Sequence, residues 1–212
     1  MAASPVRKPP PLIHFDLSDI MRTLLASTLA AAGIAAVCLI GNGANAVGSG
    51  AGSAVGTALG STIPNQTKAP EFVGIDRWLN SQPLSMQGLR GKVVLVDFWT
   101  YSCINCINTL PYVKQWHDKY KDQGLVVVGV HTPEFPFEKS TANVQAAIKR
   151  FDIRYPVAQD NGYATWSAYH NRYWPALYLV DAEGKIVYQH FGEGQYAETE
   201  AAIRNALAQR KQ

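Results

Sequence analysis

The sequence predicts an α/β protein with a central mixed β-sheet flanked by helices on both faces. Three observations carry that prediction. Two unbroken apolar runs, residues 93–96 and 125–130, read as strands buried on both faces and parallel to each other. Segments with apolar residues every three or four positions alternate with them. Near the end, two strand-like runs flank a polar turn. Strand, helix, strand, helix, hairpin and helix in that order build a layered sheet.

The 212 residues divide into four parts. Residues 1–20 are polar and proline-rich, with Pro9-Pro10-Pro11 and no periodicity, and read as a disordered extension. Met21-Arg22 then leads into Thr23-Leu24-Leu25 and an alanine-rich apolar stretch to Ile40, followed by Ala44-Asn45-Ala46. A charged start, an apolar middle and a small-residue cleavage pattern make an export signal over residues 21–46, with a cut after Ala46 and translation from Met21 as its ordinary layout. An uncleaved membrane tether through residues 23–41 is the alternative, although the apolar run is just short of the roughly 20 residues a span needs. Cys38 lies inside this run, and Val37 before it is larger than the small residue a lipoprotein site requires. Residues 47–68, rich in glycine, alanine and serine, read as a flexible linker. Residues 69–212 are enough for one domain with a full core. The expected location is outside the cytoplasm: the periplasm or the outer face of the cytoplasmic membrane.

Within that domain Phe72, Ile75, Trp78 and Leu79 read as a short hairpin or helix covering a sheet edge, ahead of a turn at Gly88-Leu89-Arg90-Gly91. After the first apolar strand, Ile107, Leu110, Val113, Trp116 and Tyr120 mark a helix whose stripe faces the sheet. Pro111 falls inside it, removes one backbone bond and is expected to kink it. Val144, Ile148 and Phe151 mark a second helix, and Tyr155-Pro156-Val157 a short extended piece. Residues 176–180 and 186–191 flank Asp181-Ala182-Glu183-Gly184 as a hairpin, and Ile203 and Leu207 lie on a closing helix over residues 196–208.

The first apolar strand ends in Asp97-Phe98-Trp99-Thr100-Tyr101-Ser102-Cys103-Ile104-Asn105-Cys106. The thiolate, not the thiol, attacks a disulfide. A cysteine in the first turn of a helix sits at the positive end of the helix dipole among unpaired N–H groups, which lowers its pKa. Cys103 is therefore the expected nucleophile, and Cys106, one turn further in, the thiol that resolves the mixed disulfide. Asp97, a lone acid in an apolar run, is placed to be partly desolvated and to take the proton of Cys106. A structural zinc wants four ligands, but there is no second Cys-x-x-Cys, and the five histidines lack ligand spacing. A disulfide closing so short a loop would be a poor staple.

These residues carry a resemblance. The order of elements, Asp97-Phe98-Trp99 ahead of Cys103-x-x-Cys106, and Pro111 five residues past the second cysteine resemble the thioredoxin superfamily. The lead-in Gly91-Lys92-Val93-Val94-Leu95-Val96 is similar to the exported TlpA/ResA-type branch. Residues 99–106, with Gly129-Val130-His131-Thr132-Pro133-Glu134-Phe135, most resemble the thioredoxin-like domain of DipZ-type proteins. The resemblance implies a thioredoxin-like fold and a cis proline facing the cysteine pair, which is Pro175 here. The backbone of Trp174 would then pair with an extended substrate, and Trp99, Tyr101 and Trp174 would line the substrate side. It also implies a redox-active Cys103–Cys106 disulfide with no other cofactor and no metal, and protein disulfides as substrates. DipZ-type proteins carry a membrane electron-carrying domain for which this sequence has no counterpart, so a separate membrane carrier of the DsbD/CcdA type is expected. Thioredoxin has Gly-Pro between its cysteines where this chain has Ile104-Asn105, so thioredoxin's reducing strength does not carry over.

The aromatic cluster of Trp166, Tyr169, Tyr173 and Trp174 reads equally as a groove lining or as packing. His131 and Glu134 follow the second strand and are candidates for tuning the site. A net charge of +3, unclustered, gives no case for nucleic acid. Two rival functions share parts of the pattern. Residues 100–103 reproduce the Thr-x-x-Cys of peroxiredoxins, but Val96 stands where that family has proline. Two thiols with His131 or His190 can hold Cu(I) as in copper-binding assembly factors, whose cysteines are spaced more widely.

Overall fold

The computed structural model describes residues 67–210. The expected extension, the signal or anchor, Cys38 and nearly all of the expected linker lie outside the described residues. Six strands form one sheet: β1 (Arg77–Leu79), β2 (Val93–Trp99), β3 (Leu125–His131), β4 (Val157–Gln159), β5 (Ala176–Val180) and β6 (Ile186–Phe191), in the order β1-β4-β3-β2-β5-β6. β2, β3 and β4 run parallel, and β1, β5 and β6 pair antiparallel with their neighbours. The sheet is mixed, and the described residues also form four α-helices: α1 (Ile104–Tyr120), α2 (Thr141–Arg150), α3 (Ala164–Ala168) and α4 (Tyr196–Gln209).

Every residue of β2 is buried, as expected of a strand covered on both faces. Alternation then sorts its side chains. Val93, Leu95 and Trp99 join one core with Leu110, Val113 and Trp116 of α1, Val144 and Ile148 of α2 and Ile203 of α4. Val94, Val96 and Phe98 join the other, closed by Met86, Tyr169 and the half-buried Phe72, Ile75, Trp78 and Trp166. Helices cover both faces unequally: three long ones on the first, and α3 with the segment before β2 on the second.

Three sequence expectations are corrected here. Residues 77–79 are a strand that extends the sheet beside β4, and neither a hairpin nor a helix over its edge. The extended piece after Pro156 lies at Val157–Gln159, where it pairs with both β3 and β1. The last two residues of the expected linker also belong to the folded part. Lys68 bridges Lys185, the Ile186 N–H donates to the Thr67 carbonyl, and the Ala69 N–H to Gly184. Pro111, exposed on its outer side, lies within a helix continuous from Ile104 to Tyr120.

The site is positioned by the carboxyl ends of the parallel strands. Trp99 pairs with His131, and Phe98 with Ala176, so the end of β2, the end of β3 and the start of β5 meet at one edge. The Trp174–Pro175 peptide bond, just before β5, is cis.

Candidate active site

Cys103 is the N-cap of α1. Its backbone is extended (φ −73°, ψ 115°), and its sulfur accepts the Cys106 N–H at 3.2 Å. An N-cap side chain satisfies one of the helix's unpaired donors, and a thiolate does so more strongly than a thiol. No acidic residue stands in the first turn of α1 to oppose it. The hydrogen bond with the Cys106 thiol, helped by the Cys106 and Asn105 N–H groups and opposed by burial and the Glu134 charge, brings the Cys103 pKa down to about 7. Cys106 is its opposite. It is buried, and burial first, then the hydrogen bond with Cys103, pushes its pKa far up. Both are free thiols in the structure.

Asp97 sits in β2 opposite Gly129 of β3 and Leu177 of β5. It points, with Leu95 and Trp99, into the core under α1 that contains Cys106. Burial, and then the Cys103 charge, raises its pKa to about 7, and its Oδ1 has no hydrogen-bond partner among the described residues. The arrangement holds a half-buried thiol that ionises near neutrality, a second thiol that does not, and a carboxyl whose affinity for a proton matches that pH range.

Of the residues expected on the substrate side, Tyr101 is half-buried beside Cys103, and its ring stacks on His131 (5.6 Å between centroids, 16° between planes). Trp174 is half-buried, its indole N–H donating to the Thr132 carbonyl at 3.0 Å and its ring 4.1 Å from Trp166. Trp99 is different. It is 1% exposed, with its indole against Gly129 and next to Tyr155, so it packs the core under the helix and does not face a substrate. Trp166 and Tyr169 pack edge-on to Phe98, which makes most of the aromatic cluster core; Tyr173 is exposed.

His131 is wholly buried between Trp99 and Tyr101, and burial lowers its pKa to about 4. It is therefore neutral, and its Nε2 lies 3.3 Å from Thr100 Oγ1. Glu134 is exposed, and its charge reaches Cys103. Sequence reasoning missed Glu138, which is buried and accepts the Ser102 hydroxyl at 2.5 Å. No local spacing announces that contact, because Ser102 lies 36 residues away in the chain.

The Redoxin family profile matches residues 64–207. Over 142 residues the chain is 53% identical to protein DipZ of Mycobacterium tuberculosis, a match covering 66% of this chain and 20% of DipZ. Over 126 residues it is 30% identical to thiol-disulfide oxidoreductase ResA of Bacillus cereus, covering 59% of this chain and 69% of ResA. The crystal structure of a thiol-disulfide isomerase from Corynebacterium glutamicum matches with a TM-score of 0.60 and 26% identity, over 66% of this chain and 97% of that one. The chain thus spans about a fifth of the length of DipZ.

Proposed function

Because the chain belongs to the Redoxin family, in the TlpA/ResA-like branch of the thioredoxin superfamily, we propose that it is an exported thiol-disulfide oxidoreductase that reduces protein disulfides. The observation that carries this reading is the asymmetry of the pair. Cys103 is half-buried at the helix start with a lowered pKa, and Cys106 is buried with a raised one above Asp97.

The Cys103 thiolate attacks one sulfur of a substrate disulfide. A Cys103–substrate disulfide forms, and the other substrate sulfur leaves as a thiolate. Formation of that bond removes the Cys103 charge, and Asp97 takes the Cys106 proton. The Cys106 thiolate then attacks Cys103 Sγ, forming the Cys103–Cys106 disulfide and releasing the second substrate thiolate. Two electrons pass from the dithiol to the substrate, whose thiolates take up protons from Asp97 and solvent. Pro175 and the Trp174 backbone hold an extended substrate segment beside Cys103, with Tyr101 on the same side. A membrane electron carrier of the DsbD/CcdA type returns two electrons to the pair. The export signal read over residues 21–46 supports placement in the periplasm or on the outer face of the membrane.

The test is the equilibrium reduction potential of the pair in the full chain, titrated against glutathione and dithiothreitol, with Cys103→Ser as control. A potential near thioredoxin's, about −270 mV, is expected. A value near DsbA's, about −120 mV, would make the chain an oxidant and overturn the direction.

A further inference from the structure

The segment joining β3 to α2 carries a charged group that the dithiol chemistry above leaves unused. Glu138 is fully buried. A buried carboxylate is costly unless its lone pairs are filled, and here they are filled from two sides. Oε2 accepts the backbone N–H of Glu134 at 2.5 Å and of Phe135 at 2.9 Å, which fixes the carboxylate to its own loop. Oε1 accepts the Ser102 hydroxyl at 2.5 Å, and the nearby Thr100 hydroxyl helps to hold the charge. Burial alone would raise its pKa, but the donors of Ser102, Thr100, Phe135 and Glu134 hold it below the ordinary value, so it stays ionised.

Thr100 and Ser102 flank Tyr101 in the turn that delivers the chain into Cys103. The same turn is held at two further points. The Tyr101 hydroxyl donates to the Phe137 carbonyl at 3.0 Å, and the Thr132 N–H donates to the Trp99 carbonyl at 3.1 Å. Thr100 Oγ1 also lies 3.3 Å from Nε2 of the neutral His131, within hydrogen-bond distance. The buried His131, Thr100 and Glu138 and the exposed Ser102 thus gather behind the nucleophile, with Thr100 against His131 and Ser102 on Glu138.

We propose that Glu138 is a positioning residue: its carboxylate holds the turn of residues 100–102 so that Cys103 enters α1 in the extended conformation that aims its sulfur at the Cys106 N–H. The proposal rests on the reading of Cys103 as the attacking thiol. A sulfur swung away from that N–H loses its hydrogen bond, because such bonds weaken steeply with distance and angle.

Position and charge predict opposite signs. A carboxylate acting only through its charge disfavours a nearby thiolate, so removing it would make Cys103 more acidic. A carboxylate acting through position keeps Cys103 on its donor, so removing it makes Cys103 less acidic. The experiment is thiolate absorbance at 240 nm against pH in the reduced full chain carrying Cys38→Ser, compared with the same chain bearing Glu138→Ala, Glu138→Gln or Ser102→Ala.

Glu138→Ala is expected to raise the Cys103 midpoint by about one pH unit, a roughly tenfold fall in its ionisation constant. Ser102→Ala is expected to raise it by less. Glu138→Gln recovers part of the shift, because the amide oxygen still accepts the two N–H groups and its NH2 can donate to the hydroxyls. Loss of stability alone leaves the midpoint of the folded protein where it was. An unchanged or lowered midpoint in Glu138→Ala and Ser102→Ala overturns the proposal. If Glu138→Ala does not fold, Ser102→Ala, on an exposed residue, decides by the same criterion. A parent Cys103 that titrates as an ordinary thiol overturns the functional reading together with this one, whereas a low parent midpoint that the variants do not move overturns this one alone.

Discussion

Replacing Asp97 with Asn isolates the buried carboxyl beneath the dithiol. Asp97 is 1% exposed, and burial, followed by the Cys103 charge, carries its pKa from an ordinary 3.8 to about 7. At 1.36 kcal/mol per pH unit, a displacement of roughly three pH units corresponds to about 4 kcal/mol. Below about pH 4 the carboxyl is protonated in folded and unfolded chains alike, and its burial carries no ionic penalty. Between pH 4 and pH 7 the unfolded chain releases the proton and the folded one keeps it, so stability falls as pH rises. Above pH 7 both are ionised, and the penalty is constant. Asn titrates nowhere in this range. Urea unfolding of the reduced proteins from pH 4 to pH 8.5 should therefore show Asp97→Asn gaining on the parent as pH rises. The gain levels off above pH 7 at about 4 kcal/mol, an upper figure for a relaxed interior. Parallel stability curves would refute the raised pKa and, with it, the assignment of Asp97 as proton acceptor for Cys106.

Two further perturbations follow from the same geometry. Cys106→Ser keeps the attacking thiol and removes the resolving one, so in a Cys38→Ser background a one-to-one Cys103 adduct with a small disulfide should accumulate, read by intact mass; continued turnover without an adduct would refute the order of attack. Gly129→Ala places a Cβ 2.9 Å from Trp99 Nε1 and 3.1 Å from Tyr155 Cε2, closer than packed atoms sit, between two buried rings. Overpacking of this kind costs about 1–3 kcal/mol, and urea unfolding that shows no loss would mean the rings have room to move.

The parts of the fold that the sequence made legible are those where one local pattern decides the outcome. The buried strands β2 and β3 and the helices α1 and α4 were readable from apolar runs and three-to-four spacing. The parts it hid depend on distant partners or very short elements. α3 is five residues long, too short for a periodic stripe, and is started by the Asp160 carboxylate, which accepts the N–H groups of Ala164, Thr165 and Trp166. An acid four residues ahead of Ala164 was the available signal. β1 spans three residues and owes its existence to pairing with β4. Trp99 was misplaced on the substrate side because it lies near the cysteines in sequence. Strand alternation, which puts it on the side of Leu95 and Asp97, already pointed it inward. Glu138 was invisible, since its partners Thr100 and Ser102 belong to a different connection of the fold.

The bridge between Lys68 and Lys185 bears on orientation. Lys185 leads into β6 at the hairpin end of the sheet, next to Val180, which pairs with Val94 at the beginning of β2; Cys103 follows the other end of that strand. At about 3.3 Å per residue, the seven residues of β2 put roughly 20 Å between those ends. Whatever precedes Thr67 thus joins the domain at the pole opposite the thiols.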